Sequence, residues 1–398
     1  MKAELLAPAG NFSKLKTALL YGADAVYVGG KSFSLRSFAD NFSAEELRDA
    51  VKYTHLLGKK LYVTANIYAR NSDFAALKDY FIFLQDIGAD AVLISDPGAI
   101  YVARKVAPRL AVHLSTQANT TNKYAVKFWG EQGVSRVVLA RELSIQDIAE
   151  IHDFCPEMEL EAFVHGAMCI SYSGRCLLSD YLDGRSSNRG ACVQACRWGY
   201  ELRPVSPTEK NEWLPVEQDG RGTYILNSKD LNLISHLHEL EKAGAVSFKI
   251  EGRMKSEYYL ATVINAYRRA MNGEDLSTCQ KELNNIAHRA YTEAYAFGEN
   301  KNTVNYDDSQ TKGDFEYIAN VLSWQNGTVV VEMRNRFLDG DVLEVLSPAE
   351  EFGARLTVKN LKDEKGNAVS DAKLVQATYS FSSEKPLRTG DFLRRARK

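Results

Sequence analysis

The stretch GADAVLISD at residues 88–96 repeats an earlier stretch, GADAVYVGG at residues 22–30. Each copy reads as a glycine that ends a helix, then an apolar run that suits a buried strand, then a polar or glycine turn. Looser copies begin at Gly133 and Gly244. A unit that recurs in this way, with helical segments between its copies, predicts a parallel sheet built from strand–helix repeats.

The segments around these copies supply further strands and helices. Further strands are predicted over residues 5–8, 60–69, 110–116, 160–164 and 246–250. Helices are predicted over residues 12–20, 43–57, 73–87, 97–107, 123–132 and 144–154. About eight strands result, apolar throughout, as strands buried on both faces are. This pattern predicts an α/β fold, a TIM-like (β/α)8 barrel. A doubly wound sheet is the alternative, disfavoured because no Gly-x-Gly-x-x-Gly turn follows the first strand.

The chain changes character after the barrel. Residues 1–273 are predicted to form the barrel, with a cysteine-rich loop at 161–197, and residues 274–312 a helical connector. Residues 313–398 are predicted to form a small β-barrel domain. Its strands are predicted over residues 317–322, 327–332, 341–346, 354–360 and 373–379. The basic ending, RRARK at 394–398, is interpreted as a solvated end or, alternatively, as a phosphate contact.

Composition excludes several classes of protein. The chain has 398 residues, of which 45% are hydrophobic and 25% are charged, so it can bury a full core. No apolar run approaches the roughly 20 residues of a membrane span, and the first residues show no export signal. A cytoplasmic protein is therefore expected. The net charge of -2 argues against a wholly basic surface, so any RNA binding is expected to be local.

Polar residues follow the predicted strands, at the barrel end where active sites of this fold lie. They are Asn66, Asp96, His113, Ser115, Gln117, Arg141, Glu142, His165, Glu251 and Arg253. For any single one of them, a loop cap or a surface ion pair is as good an interpretation as a functional role. As a set at one end of a barrel, they indicate a site.

Four of the six cysteines lie close together in the sequence, at Cys169, Cys176, Cys192 and Cys196. Converging thiolates repel one another unless a metal centre neutralises them. Structural zinc usually takes paired knuckles with two to four residues between the cysteines, and the wider spacing here suits an iron–sulfur cubane better. Buried unligated cysteines and disulfides are the alternatives. The other two cysteines, Cys155 and Cys279, are interpreted as structural.

The same region resembles a known family. EAFVHGAMC at 161–169 and SGRCLLS at 173–179 look like the signature of the collagenase-like peptidase U32 family. LLAPAG at 5–10 and KIEGRMK at 249–255 are similar to that family as well, so the resemblance covers nearly the whole chain. It implies a barrel and, for members with a small C-terminal β domain, an oxygen-independent hydroxylation of RNA.

Among these members, the chain resembles most the tRNA hydroxylases that form 5-hydroxyuridine at the wobble position with prephenate as hydroxyl source. The resemblance implies tRNA as partner, prephenate as co-substrate, and a [4Fe-4S] cluster held by the four cysteines of the motif. Two alternatives stay open: a U32-type peptidase with a structural metal centre, and hydroxylation of a ribosomal RNA cytidine. An RNA-binding accessory protein is a weaker third, and the sequence does not settle whether a partner subunit is needed.

Chemical grounds suggest roles for five further residues. Arg141, Lys249 and Arg253 are predicted to bind a dicarboxylate such as prephenate, because cationic groups pair with carboxylates. Glu161 and His165 are candidates for proton transfer beside the cluster.

Overall fold

A computed structural model describes residues 3–35, 40–198, 217–219, 222–224, 228–298 and 313–397. The chain divides into two compact units. The first comprises Met1–Leu15, Asp24–Met254 and Arg289–Thr311, and the second comprises Lys16–Ala23, Lys255–His288 and Lys312–Lys398. The domain limits predicted after residues 273 and 312 stay predictions.

The first unit contains a closed barrel of eight parallel strands. They are β1 (Glu4–Pro8), β2 (Ala25–Gly29), β3 (Lys60–Thr64), β4 (Ala91–Ile94), β5 (Ala111–Leu114), β6 (Arg136–Val138), β7 (Glu159–Ala167) and β8 (Ala245–Ile250). Each strand pairs with the next in the chain, and β8 also pairs with β1, which closes the barrel. The predicted TIM-like fold is confirmed.

Helices alternate with these strands. They are α1 (Phe12–Leu20), α2 (Ala44–Leu56), α3 (Phe74–Asp86), α4 (Pro97–Val106), α5 (Lys123–Glu131), α6 (Ile145–Phe154), α7 (Leu178–Asp183) and α8 (Leu237–Lys242). Side chains fix where several of them begin. Ser43 and Ser144 form capping boxes with Glu46 and Asp147, and Asp96 accepts a hydrogen bond from the backbone of Ala99 at the start of α4.

The repeated sequence unit has a structural cause. Gly22 and Gly88 lie in the left-handed region, with φ of 106° and 78°, where a glycine ends a helix without strain. The aspartate two residues later accepts a backbone hydrogen bond from a neighbouring strand. Asp24 accepts from Leu5 at 3.0 Å and Asp90 accepts from Leu61 at 2.8 Å. In each of these two copies of the repeat, the glycine ends a helix and the aspartate fixes the next strand beside its neighbour.

Strand β7 is longer than predicted. Residues 160–164 were expected, whereas the strand runs over Glu159–Ala167. The additional residues at its C-terminal end, 165–167, pair antiparallel with the short strand Asp230–Asn232, which itself pairs with Tyr291–Thr292. A partner this distant in sequence leaves no local signal, so periodicity alone cannot extend the strand.

The second unit contains α9 (Glu257–Met271), α10 (Leu276–Asn284) and a seven-stranded, barrel-like antiparallel sheet. The strands of this sheet are Phe315–Gln325, Thr328–Met333, Val342–Leu346, Arg355–Thr357, Lys359–Lys362, Thr378–Ser382 and Phe392–Ala396. The strand predicted at 373–379 is misplaced, since the strand begins at Thr378. No described helix is long and apolar enough to cross a membrane.

The basic ending is also not what the sequence suggested. Phe392–Ala396 is a strand between Val342–Leu346 and Phe315–Gln325. Arg394 is 1% exposed and donates to Glu282 at 2.9 Å and to Glu344 at 2.7 Å. Arg394 is therefore neither part of a solvated end nor available to a phosphate, whereas Arg397 is exposed and Lys398 lies outside the described residues.

Candidate functional site

A small cavity, here called the mouth cavity, opens at the C-terminal ends of the barrel strands. Its volume is about 130 Å³. Six of the predicted strand-end side chains line it, namely Asn66, Ser115, Gln117, Arg141, Glu251 and Arg253. Lys249 and all four clustered cysteines line the same cavity. The structure therefore brings together the predicted cation set and the predicted ligand set.

Two arginines of the mouth cavity are held in place by neutral groups. Arg253 is 3% exposed, and its guanidinium donates to the Ser34 hydroxyl at 2.8 Å and the Thr64 hydroxyl at 2.9 Å. Arg141 donates to the Ser173 hydroxyl at 3.2 Å and lies 3.7 Å above the ring of Phe163. An anion in the cavity would meet two guanidinium groups that are already oriented.

Lys249, the third cationic side chain of the mouth cavity, forms an ion pair with a buried carboxylate. Its ammonium donates to Glu161 at 2.6 Å and lies 4.5 Å from the centroid of the Tyr27 ring. Glu161 is fully buried. Burial alone would raise the pKa of Glu161, but the charges of Lys249 and Arg136 outweigh it and hold that pKa below its ordinary value. Glu161 is therefore ionised at neutral pH.

The ion pair continues through the barrel interior. Arg136 donates to Glu161 at 3.2 Å, to Glu159 at 2.7 Å and to Glu4 at 2.8 Å. Tyr62 donates to Glu4 at 2.7 Å. Sequence analysis missed this network, because strands with apolar neighbours on every side were interpreted as purely hydrophobic.

The four cysteines converge on the mouth cavity. Burial raises the pKa of the Cys196 thiol, and the charges of Cys169, Cys192 and Cys176 raise it further against the opposing effect of Arg197. None of the four forms a disulfide, and the hydroxyl of Ser179 donates to the Cys192 sulfur at 3.8 Å.

The distances between the four sulfur atoms decide which metal group they could bind. Thiolates around a single zinc ion lie roughly 3.8 Å apart, as zinc–sulfur bonds near 2.3 Å require. Within the described residues, no three His, Cys, Asp or Glu side chains are close enough to hold one metal ion. The iron–sulfur cluster expected from the sequence stays a prediction.

Several predicted site residues lie elsewhere. His165 is 1% exposed, does not line the mouth cavity, and lies 5.6 Å from the Tyr291 ring. Asp96 caps α4. His113 lies within β5 and lines a different cavity, of about 900 Å³, together with Arg136 and Glu159. Glu161 lies beneath Lys249, outside the cavity lining.

A tight turn that sequence analysis did not single out forms one wall of the mouth cavity. It comprises residues 172–175, in which the Arg175 N–H donates to the Tyr172 carbonyl at 3.0 Å. Gly174 has φ of 79°, and a Cβ added there would meet the Gln117 carbonyl oxygen at 2.5 Å. Tyr68 donates to the Gly174 carbonyl. We call this segment the rim turn. The only feature of the local sequence that indicates a turn here is the pair Ser173-Gly174.

Comparison with known proteins places these features in a family. The profile of Peptidase family U32 matches residues 10–306, and that of the Peptidase family U32 C-terminal domain matches residues 314–394. "tRNA hydroxylation protein P1" of Bacillus subtilis is 38% identical, over 100% of this chain and 95% of that protein. "tRNA hydroxylation protein P" of Escherichia coli is 38% identical, over 92% of this chain and 91% of that protein.

A relative with a different name is similar as well. "Collagenase" of Porphyromonas gingivalis is 33% identical, over 74% of this chain and 74% of that protein. The two family profiles together match most of the chain, and the two tRNA hydroxylation proteins align along 92% or more of it. The chain belongs to peptidase family U32.

Proposed function

We propose that this protein is an RNA-modifying hydroxylase that converts a wobble uridine of tRNA to 5-hydroxyuridine without molecular oxygen. One observation carries the proposal: four cysteines and three cationic side chains line a single cavity. The relatives that align with the whole chain are named tRNA hydroxylation proteins, which supports tRNA as substrate.

In this proposal, Cys169, Cys176, Cys192 and Cys196 hold a [4Fe-4S] cluster. A cluster of this kind supplies an iron centre that exchanges electrons. The chain supplies the surroundings: the Ser179 hydroxyl donates to one ligand sulfur, and hydrogen bonds of this kind tune such centres.

The cationic side chains would bind the hydroxyl donor, for which prephenate, a dicarboxylate, is our candidate. Arg141 donates to the Ser173 hydroxyl and Arg253 to the Ser34 hydroxyl, and guanidinium groups held in this way can bind carboxylates through charge-assisted hydrogen bonds. Lys249 is neutralised by Glu161 and would serve as a hydrogen-bond donor of lower net charge.

Proton transfer is proposed for His165 and Glu161. Neither side chain lines the mouth cavity, and Glu161 reaches it only through Lys249, so a proton from Glu161 would have to pass through that ammonium. The transformation itself replaces the C5–H bond of uracil with a C5–OH bond. Uracil loses two electrons, and the donor that gives up its hydroxyl gains two.

The proposal is tested with protein purified without oxygen. Iron and sulfide content and visible absorbance report the cluster. Unmodified tRNA is then incubated with the protein, with and without prephenate. The tRNA is digested to nucleosides, which are identified by liquid chromatography and mass spectrometry. A uridine heavier by one oxygen, formed only with prephenate, is the expected result. A colourless protein, or no product with intact cluster absorbance, would overturn the proposal.

Variants connect the product to the site. Cys192→Ser is expected to lose both iron and product, whereas Cys279→Ser, outside the motif, is expected to keep both. Arg141→Ala and Arg253→Ala are expected to keep cluster absorbance and lose product. Peptide cleavage that disappears with Cys192→Ser and needs no dicarboxylate would favour the peptidase alternative instead.

A further inference from the structure

The cysteine-rich segment exposes aromatic side chains that a purely structural loop would bury. Tyr172 is 48% exposed although it lines the mouth cavity, Tyr181 is 88% exposed and Trp198 is 41% exposed. Aromatic rings held at the surface beside a cavity are the means by which proteins bind unpaired nucleobases. These rings belong to the segment that also carries the proposed cluster ligands.

The charge of this segment is opposite to that of the whole protein. Residues 169–198 contain four arginines and two aspartates, while the whole chain has a net charge of -2. Arg185 pairs with Asp183 and Arg189 pairs with Asp73. Arg175, in contrast, is exposed and makes no ion pair within the described part of the chain. An exposed arginine of this kind is available to a phosphate.

The rim turn places these two kinds of side chain side by side. Tyr172 and Arg175 are joined by the backbone hydrogen bond that closes the turn. Tyr68 holds the Gly174 carbonyl, and Arg141 holds the Ser173 hydroxyl. Tethers from two barrel loops preorganise the turn, so binding does not have to order it.

We propose that the rim turn holds the target nucleotide of a single-stranded RNA loop, with Tyr172 stacked on the base and Arg175 on an adjacent phosphate. The inference rests on the proposed function, because it names the surface through which that substrate reaches the cavity. Duplex RNA does not suit it, because its bases are not free to stack on a protein ring.

Binding is measured by fluorescence anisotropy with the full-length protein, purified without oxygen. The probe is a labelled RNA hairpin that carries an anticodon loop with a uridine at the wobble position. A blunt duplex without a loop is the competitor. Tyr124→Ala and Arg109→Ala are matched controls, because both side chains are exposed and neither lines the mouth cavity.

Tyr172→Ala is expected to weaken hairpin binding about tenfold, within the range for loss of one stacked base. Tyr172→Phe keeps the ring and is expected to restore affinity. Arg175→Ala is expected to reduce the salt dependence of log Kd by about 0.7, as for one lost phosphate contact to a single strand. Arg175→Lys is expected to restore it. The two controls should bind as the wild type does.

Several results would overturn the inference. They are wild-type affinity for Tyr172→Ala, an equal loss for the controls, or equal competition by the duplex. If the wild type modifies tRNA while these variants bind normally, only this inference fails. If the wild type binds the hairpin through Tyr172 but forms no hydroxylated nucleoside, the RNA surface stands and the proposed reaction fails. Absence of any RNA binding overturns both.

Discussion

Glu161 is the buried anion that neutralises two cations inside the barrel. It lies between Lys249 and Arg136 and is fully buried. Removing the anion from a buried cluster leaves its cations uncompensated, so Glu161→Gln is expected to lower the free energy of unfolding by about 3 kcal/mol. Urea denaturation measures this loss.

Two further variants test the cause of that loss. Glu159→Gln, whose side chain is 51% exposed and pairs with the same Arg136, is expected to cost less than about 1 kcal/mol. Combining Glu161→Gln with Lys249→Met should cost less than the sum of the single changes. If the two single changes lower the free energy of unfolding additively, the ion pair between Glu161 and Lys249 is not the cause of the loss.

Gly174 is needed both for its backbone conformation and for the space around it. Gly174→Ala is expected to destabilise by more than the ~1 kcal/mol of a left-handed alanine, because its Cβ would meet the Gln117 carbonyl at 2.5 Å. Gly184→Ala is the matched control, with φ of 63° and no atom within 4 Å. Thermal melts compare the two, and equal shifts would contradict the close approach.

Among the elements, the C-terminal strand Phe392–Ala396 carries a buried ion pair. Arg394→Ala would leave Glu282 and Glu344 without their shared cation, and is expected to destabilise by about 3–5 kcal/mol. Arg395→Ala is the control, since that side chain is 30% exposed, and a shift under about 1 kcal/mol is expected. Denaturant midpoints of the two variants test this, and similar midpoints would contradict it.

The elements also show how far sequence reasoning reaches. Strands β2 and β4 were found because buried apolar runs and a repeated glycine are local signals. The C-terminal strand was missed because its arginines suggested a solvated end, and the carboxylate partners of Arg394 and Arg395 lie far away in the sequence. The cysteines and strand-end arginines of the site were predicted. The rim turn was not, because Tyr68 and Gln117 approach it only in the folded chain.

For the molecule as a whole, His113 predicts a dependence of stability on pH. Burial, reinforced by the charge of Arg136 against the opposing Glu161, lowers the pKa of His113 to about 3. Below pH ~6.5, the ordinary pKa of histidine, His113 binds a proton in the unfolded chain but not in the folded chain. The free energy of unfolding therefore decreases as the pH is lowered. The contribution is complete above pH ~6.5 and declines by about 1.4 kcal/mol per pH unit below it.

His113→Phe tests this contribution, because the variant keeps an aromatic ring beside Tyr62 but has no side chain there that can bind a proton. Its unfolding free energy is expected to vary less between pH ~6.5 and ~4 than that of the wild type, by urea denaturation at each pH. Glu161, with its lowered pKa, acts in the same direction at more acidic pH in both proteins. Identical slopes would remove His113 as the cause.

The tethers of the cysteine-rich segment have a consequence for maturation. Arg189 donates to the Tyr68 carbonyl and to Asp73, and Asn188 accepts from the backbone of Tyr68. Each anchor belongs to the loop after β3, which takes shape only once that strand has found its neighbours. We therefore expect the barrel to assemble before the four thiols come together. If the segment binds the proposed cluster, iron is delivered to a folded barrel, and the protein without iron is expected to be cleaved by proteases first between residues 169 and 198, as limited proteolysis with and without iron would show.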